Sequence, residues 1–373
     1  MKRRDFDFWI FVTVLLLLAL GISIVYSASS YYASRKFGNK EYYLIRQLIW
    51  ATIGIIAMLM VSRMDYRRLA QFSPILMLVS IILLILVRIP GIGANVNGAW
   101  RWFNFGPFSF QPSEMAKLSI ILFFSFSLSK KGDMLQYFWK GLVPYLLVIG
   151  LIDALLMLQP HFSATILVTG VAVIILFTAG AKIWHFVLLA IPAIPLVIYL
   201  VLSEEYRLKR LLTFLDPFKD PTDSGYQIIN SLYAIGSGGI FGKGLGQSVQ
   251  KYLYIPEPHT DFIFSIAAEE LGFIGATTIL LLFLVLIWRG IRIAMHAPDT
   301  LGSLIAVGIT SLISLQVIIN VAVVTSSMPV TGMPLPFFTA GGSSLAFLLV
   351  GIGMLLNISR HCTARYRLRR EKF

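Results

Sequence analysis

About ten long apolar runs dominate this chain, near residues 8–27, 45–62, 72–88, 115–129, 140–158, 163–180, 183–202, 262–289, 301–325 and 342–358. The hydrocarbon core of a bilayer is roughly 30 Å thick, and a helix of about 20 apolar residues crosses it. Inside hydrocarbon every backbone N–H and C=O must be satisfied within the protein, which leaves helices for runs of this kind. The expected fold is therefore an all-α polytopic membrane protein with about ten transmembrane helices. It would form one integral membrane domain over 1–373, with no soluble domain of useful size. Composition agrees, at 57% hydrophobic and 13% charged residues and a mean hydropathy of +0.80. The first apolar run is longer than the roughly 7–15 residues of a secretory h-region, so it reads as a retained first helix. A single cysteine, Cys362, rules out an internal disulfide, and no CxxC or HExxH spacing points to structural zinc.

The net charge of +13 invites a nucleic-acid reading, which its placement defeats. With ten crossings and the N-terminus in the cytoplasm, 18 of the 31 basic residues fall in cytoplasmic segments and six in short outer loops. Positive charge is retained on the cytoplasmic side, so this bias supports both termini being cytoplasmic and leaves no call for nucleic acid. The tail RYRLRREK (365–372) is expected against anionic lipid.

Three segments on the outer side break the apolar rhythm. The first, 89–113, reads IPGIGANVNGAWRWFNFGPFSFQPS. Its aromatics suit an interfacial loop, but Arg101 sits between Trp100 and Trp102, and Glu114 and Lys117 follow one helical turn apart. Such a pair is worth a few tenths of a kcal/mol on an exposed helix; at a membrane boundary it is expected to face a cavity. The second, 203–260, is a large extracytoplasmic loop between helices 7 and 8 that opens with an amphipathic stretch carrying Leu208, Leu211, Leu212 and Leu215. It continues into GSGGIFGKGLGQS around Lys243, which fails the P-loop pattern because Gly244 follows the lysine. That glycine run reads equally as a flexible linker or as backbone N–H groups able to hold phosphate oxygens. The third, 326–344, is broken by Pro329, Pro334 and Pro336 and must line a cavity or be buried in protein.

The densest chemistry lies in KYLYIPEPHTDFIFSIAAEELGFIG (251–275), where Glu257, His259 and Asp261 precede an apolar helix and Glu269 and Glu270 lie inside it. Thr260 or Asp261 before an apolar run is an ordinary helix N-cap. Yet Pro256 and Pro258 hold the approach extended, and Ser265 and Glu269 fall on the face of Asp261 at i+4 and i+8. A carboxylate there suits a general base toward a sugar hydroxyl or a ligand for a divalent cation, while Arg101, Lys117 and Lys243 suit an anionic leaving group. Asp153, alone in the fifth run, suggests either transport or a structural anchor.

Several long motifs then carry a resemblance: NGAWRWFNFGPFSFQPSEMAKL (97–118), YAIGSGGIFGKGLGQS (233–248), YIPEPHTDFIFSIAAEELGFIG (254–275), PLPFFTAGGSS (334–344) and GIGMLLNISR (351–360). Together they resemble the SEDS family, the FtsW, RodA and SpoVE proteins of division, elongation and sporulation, over nearly the whole chain. The resemblance implies a glycosyltransferase of the bacterial cytoplasmic membrane that polymerises lipid II into glycan strands at its outer face. Asp261 matches the family's essential aspartate and would be the catalytic base or a metal-binding carboxylate. Arg101 and Trp102, then Glu114 and Lys117, match its substrate-binding positions; Lys243, Glu257, His259, Ser265 and Glu269 are expected around them. A divalent cation (Mg2+ or Mn2+) and a class B penicillin-binding protein are implied as cofactor and partner. YQIINSLYAIGSGG and LYIPEPHTDF resemble the division and sporulation branch, though Thr339-Ala340 stands where division proteins often carry an aromatic. A lipid II flippase and a non-catalytic scaffold are the competing readings.

Overall fold

The computed structural model describes residues 6–96, 98–106, 108–203, 205–219, 221, 225–252 and 260–370. Its helices are α1 (Phe8–Phe37), α2 (Tyr42–Arg63), α3 (Tyr66–Gln71), α4 (Ser73–Leu86), α5 (Pro112–Lys131), α6 (Val143–Leu158), α7 (Phe162–Thr178), α8 (Ile183–Leu202), α9 (Glu205–Leu215), α10 (Tyr226–Ser237), α11 (Ile263–His296), α12 (Thr300–Val324) and α13 (Gly342–Arg370). Each of the ten apolar runs falls for most of its length in one of these helices. Among the described residues, six stretches are long and apolar enough to cross a membrane: α1, α2, Phe138–Leu158, α11, α12 and Gly342–Cys362.

The core forms where helices come closest. A Cβ on Gly353 of α13 would lie 2.6 Å from the Met58 carbonyl of α2, and one on Gly21 of α1 would lie 2.4 Å from the Phe337 carbonyl. Without a hydrophobic force between helices in lipid, small residues that let backbones meet are what bind them.

One end of the bundle is closed by caps that double as ion pairs. Asp7, Asp65 and Asp299 accept the amides of Ile10, Arg67 and Gly302 at the starts of α1, α3 and α12. Asp7 also meets Arg289, and Asp299 meets Arg67 at 2.8 Å and the Tyr66 hydroxyl at 2.9 Å. Burial opposes ionisation of Asp299, but these donors outweigh it and hold its carboxyl below the usual range.

The other end holds a departure from the all-α expectation. Three short strands, β1 (Ala94–Val96), β2 (Ala99–Phe105) and β3 (Phe108–Phe110), pair antiparallel in that order. Asn95 faces Trp100 and Asn104 faces Ser109. The signal was present as the aromatic-rich run WRWFNF, which suits a strand, and the Asn97-Gly98 pair, a strong hairpin cue. Gly98 and Gly106 carry the positive φ that the two turns require, +78° and +61°.

α9 is the expected amphipathic helix, with Leu211, Leu212 and Leu215 exposed. Arg210 ties it to the Val330 carbonyl at 3.1 Å. The expectation that 365–372 touches lipid concerns side chains outside the described residues.

Candidate functional site

α11 is two helices joined at Gly272, whose φ of 68° and ψ of −170° interrupt it nine residues in. The break frees backbone groups that would be costly in hydrocarbon, and the glycine-rich loop takes them up. Lys243 and Gly244 donate their amides to the Glu269 and Glu270 carbonyls at 3.0 Å, and Phe273 donates to the Gly239 carbonyl at 2.8 Å. A Cβ on Gly238 or Gly242 would lie 2.2 Å from the carbonyl of Ala268 or Glu270. These glycines are there for close approach. The loop is neither a free linker nor an open phosphate cradle.

The side chains of the same stretch complete the clamp. Glu269, fully buried, accepts Lys243 Nζ at 2.6 Å, Ser248 Oγ at 2.5 Å and the amides of Val249 and Gln250. Glu270 accepts Ser27 Oγ of α1 at 2.6 Å and pairs with Lys251 at 3.4 Å. Ser265 is also fully buried, sharing a 2.6 Å hydrogen bond with Ser231 of α10, which in turn donates to the Val324 carbonyl. Ser265 and Glu269 therefore sit inside the protein, while Lys243 reaches Glu269 from the exposed loop and holds that loop against α11.

Asp261 is placed differently. The residue capping α11 is Phe262, with no side-chain cap bond, so neither Thr260 nor Asp261 caps the helix through its side chain. The carboxylate is half-buried, and among the described residues one hydrogen bond reaches it, from the Thr260 hydroxyl at 2.7 Å. Its second oxygen lies 3.8 Å from where a Cβ on Gly332 would stand, so the 326–341 segment borders it directly. Asn320 of α12 fixes that meeting. Its Nδ2 donates to the Asp261 carbonyl at 2.7 Å and to the Met333 carbonyl at 2.8 Å. Asn320 escaped the sequence reading, although a fully buried amide inside an apolar helix was a visible cue.

The basic groups approach from the other side of the same segment. Arg101, on β2, donates from Nε to the Gln159 carbonyl at 2.9 Å and from its guanidinium to the Pro160 carbonyl, at the end of α6. That is the end of a helix where a cation is favoured. Three residues after Pro160, Ser163 Oγ reaches the Thr331 carbonyl, next to Gly332. Lys117, 6% exposed, pairs with Glu114 at 2.8 Å, and Glu114 also accepts Ser344 Oγ of α13 at 3.1 Å. This pair lines a narrow pocket with Gln316, Pro334 and Thr339. Trp102 packs near Gly341, at the start of α13.

Glu257 and His259 lie outside the described residues. Among the described residues no three His, Cys, Asp or Glu side chains group as metal ligands, and Asp261 offers a lone carboxylate beside a hydroxyl. This donor set does not by itself fit a divalent cation. Asp153 has a partner the sequence did not reveal, the Thr169 hydroxyl of α7 at 2.5 Å.

Known proteins share this architecture and sequence. The FtsW/RodA/SpoVE family model, described as a cell cycle protein, matches residues 8–364. Stage V sporulation protein E of Bacillus subtilis is 48% identical over 360 residues, covering 96% of this chain and 98% of that one. "Probable peptidoglycan glycosyltransferase FtsW" of Trichlorobacter lovleyi is 44% identical over 358 residues, covering 96% and 94%. Among solved structures, a chain of a peptidoglycan synthase complex that coordinates polymerization and crosslinking superposes with a TM-score of 0.78 at 29% identity, covering 96% and 98%. The Thermus thermophilus rod shape determining protein RodA superposes at 0.69 and 29% identity, covering 95% and 97%. The chain is a multi-pass membrane protein that belongs to the FtsW/RodA/SpoVE cell cycle protein family.

Proposed function

We propose that the protein is a peptidoglycan glycosyltransferase that polymerises lipid II at the outer face of the bacterial cytoplasmic membrane. The observation that carries this is the contrast of carboxylates: Asp261 keeps oxygen valences open at a junction of three elements, where both oxygens of Glu269 are taken up by donors from the glycine-rich loop. Asp261 acts as general base. It takes the proton of the acceptor sugar's 4-hydroxyl as that oxygen attacks C1 of the donor's N-acetylmuramic acid. The bond from C1 to the lipid diphosphate breaks, and the diphosphate leaves with the electron pair beside Arg101 and Lys117. Glu114 positions Lys117, and Trp102 supplies an apolar wall. A divalent cation would need Glu257 and His259 beside Asp261 to complete its donor set; no step above runs through it.

All ten apolar helices cross the membrane in this reading, with both termini cytoplasmic, as the basic-residue bias supports. The partner is a class B penicillin-binding protein, in keeping with the synthase complex to which this chain is similar. The relatives above support a place in division or sporulation.

The test is glycan formation from purified lipid II, with the penicillin-binding partner present, by the wild type and by Asp261→Asn. Loss of polymer in a folded Asn variant supports the base role, and wild-type rates abandon it. A transporter remains the second reading because Asp153 leaves one buried oxygen without a partner. Lipid II moving across vesicles while no glycan forms would favour it.

A further inference from the structure

His161 is a residue that neither the motifs nor the reaction above employs. It lies between α6 and α7, in the turn whose Gln159 and Pro160 carbonyls Arg101 grips. Its ring does not cap α7, and among the described residues Nδ1 is sealed from solvent and finds no hydrogen-bond partner. Buried polar atoms in native folds almost always have a partner, so an orphan nitrogen points to a bond completed by something that binds.

The surroundings say what kind of ligand that is. Burial first, then the charges of Arg101 and Lys117, push the imidazole down to about 3, so it is uncharged at neutral pH. The turn also opens α7, a 17-residue helix whose first amides carry partial positive charge. Two cations from two other elements and a helix start thus act on a neutral ring with a spare nitrogen. A neutral imidazole beside a helix N-terminus remains a good hydrogen-bond donor to developing or resident negative charge. A third cation would be repelled there, and a neutral donor is not.

We propose that His161, Arg101 and Lys117 form one anion subsite at the start of α7, which takes the diphosphate of the polyprenyl-linked sugar donor. His161 supplies the uncharged hydrogen bond to a diphosphate oxygen, with Nδ1 carrying the proton. The subsite lies one contact from the reacting carboxylate, because Ser163 meets Thr331 and Gly332 borders Asp261. This rests on the glycosyl-transfer reading for the identity of the ligand, while the anion subsite stands on its own geometry.

The experiment measures undecaprenyl diphosphate binding to the purified full chain in phosphatidylcholine nanodiscs, with undecaprenyl monophosphate and phosphatidylglycerol as competitors. His161→Ala is expected to weaken diphosphate binding roughly 10- to 100-fold, the span of one hydrogen bond to a charged group. His161→Gln, which restores an N–H donor, is expected to recover most of it. In polymerisation, KM for the lipid-linked donor rises in His161→Ala while kcat changes less. Equal binding by wild type and His161→Ala overturns the proposal, as does displacement of the diphosphate by phosphatidylglycerol at equal concentration. Where His161→Ala does not fold, the comparison is His161→Gln against His161→Met, similar in bulk but without a donor; equal affinities overturn it. His161-dependent diphosphate binding by a wild type that makes no glycan keeps the subsite and removes the glycosyltransferase. Glycan synthesis with His161-independent binding removes only the subsite.

Discussion

Asp261 and Glu269 stand eight residues apart around the start of α11, and the protein uses them in opposite ways. Glu269 is fully buried and accepts three or more donors, among them Lys243 and Ser248. Asp261 is half-buried, and among the described residues the Thr260 hydroxyl alone donates to its carboxylate. A saturated carboxylate stabilises a fold and has little left for a substrate. An unsaturated one at a junction contributes less to the fold and retains acceptor capacity. Position in the sequence did not separate the two, since both lie on one expected helical face. The break at Gly272 and the loop wound onto it make the difference.

This contrast can be broken in both directions. Removing Asp261 as Asp261→Asn is expected to lower polymerisation by about 10²–10⁴-fold, the usual worth of a general base, with little change in the thermal midpoint. The reciprocal change, Glu269→Ala, removes the buried acceptor shared by Lys243, Ser248 and the amides of Val249 and Gln250. It is expected to cost about 1–3 kcal/mol for donors left unsatisfied, read as a fall in the midpoint of unfolding in detergent. Were Glu269→Ala folded normally but inactive, the assignment of the two acids would have to be exchanged. Gly242→Ala follows, because a Cβ there collides with the Glu270 carbonyl and φ is +81°. Loss of about 1–3 kcal/mol is expected from the strain alone, and the same assay reads it.

Smaller effects sharpen the picture. Asn320→Leu removes the donor that joins the Asp261 and Met333 carbonyls. About 1–3 kcal/mol is expected for carbonyls left unsatisfied, along with a fall in kcat that Glu269 variants with residual fold would not show alone. For pH, the sign follows from His161. Its folded value lies below its unfolded value of about 6.5, so the unfolded chain binds the extra proton. The contribution is whole above about pH 6.5 and is lost as pH falls toward 3. A pH series of melting curves checks this, with His161→Gln flattening the acid limb. Arg67→Ala at the opposite end should matter least, roughly 0–1 kcal/mol for a half-exposed pair.

How much could be read beforehand divides along physical lines. Apolar runs announce helices because hydrocarbon leaves the backbone no alternative, and all ten appear as helices. Arg101, Glu114, Lys117 and Asp261 stood out as charges beside apolar stretches, and the chain brings them around one segment, 326–344. The sheet of β1, β2 and β3 was missed because its aromatics also suit an interface, which masks the strand signal. Helical spacing put Glu269 and Ser265 on the face of Asp261, but it reports a shared face and says nothing of what packs on it, so their partners Lys243, Ser248 and Ser231 were not legible. Asn320, His161 and the Thr169 partner of Asp153 depend on contacts far apart in sequence, which periodicity does not encode.

The clamp at Gly272 also makes the chain a ruler. Lys243 and Gly244 are pinned by backbone to Glu269 and Glu270, while Ser248, Val249 and Gln250 are pinned to the Glu269 side chain. Few residues separate the two anchors, so one residue added between Gly244 and Ser248 would carry the second set out of register. Variation in length among homologous chains should therefore vanish between Gly242 and Gln250, and a scan of single-residue insertions across the loop would map that boundary.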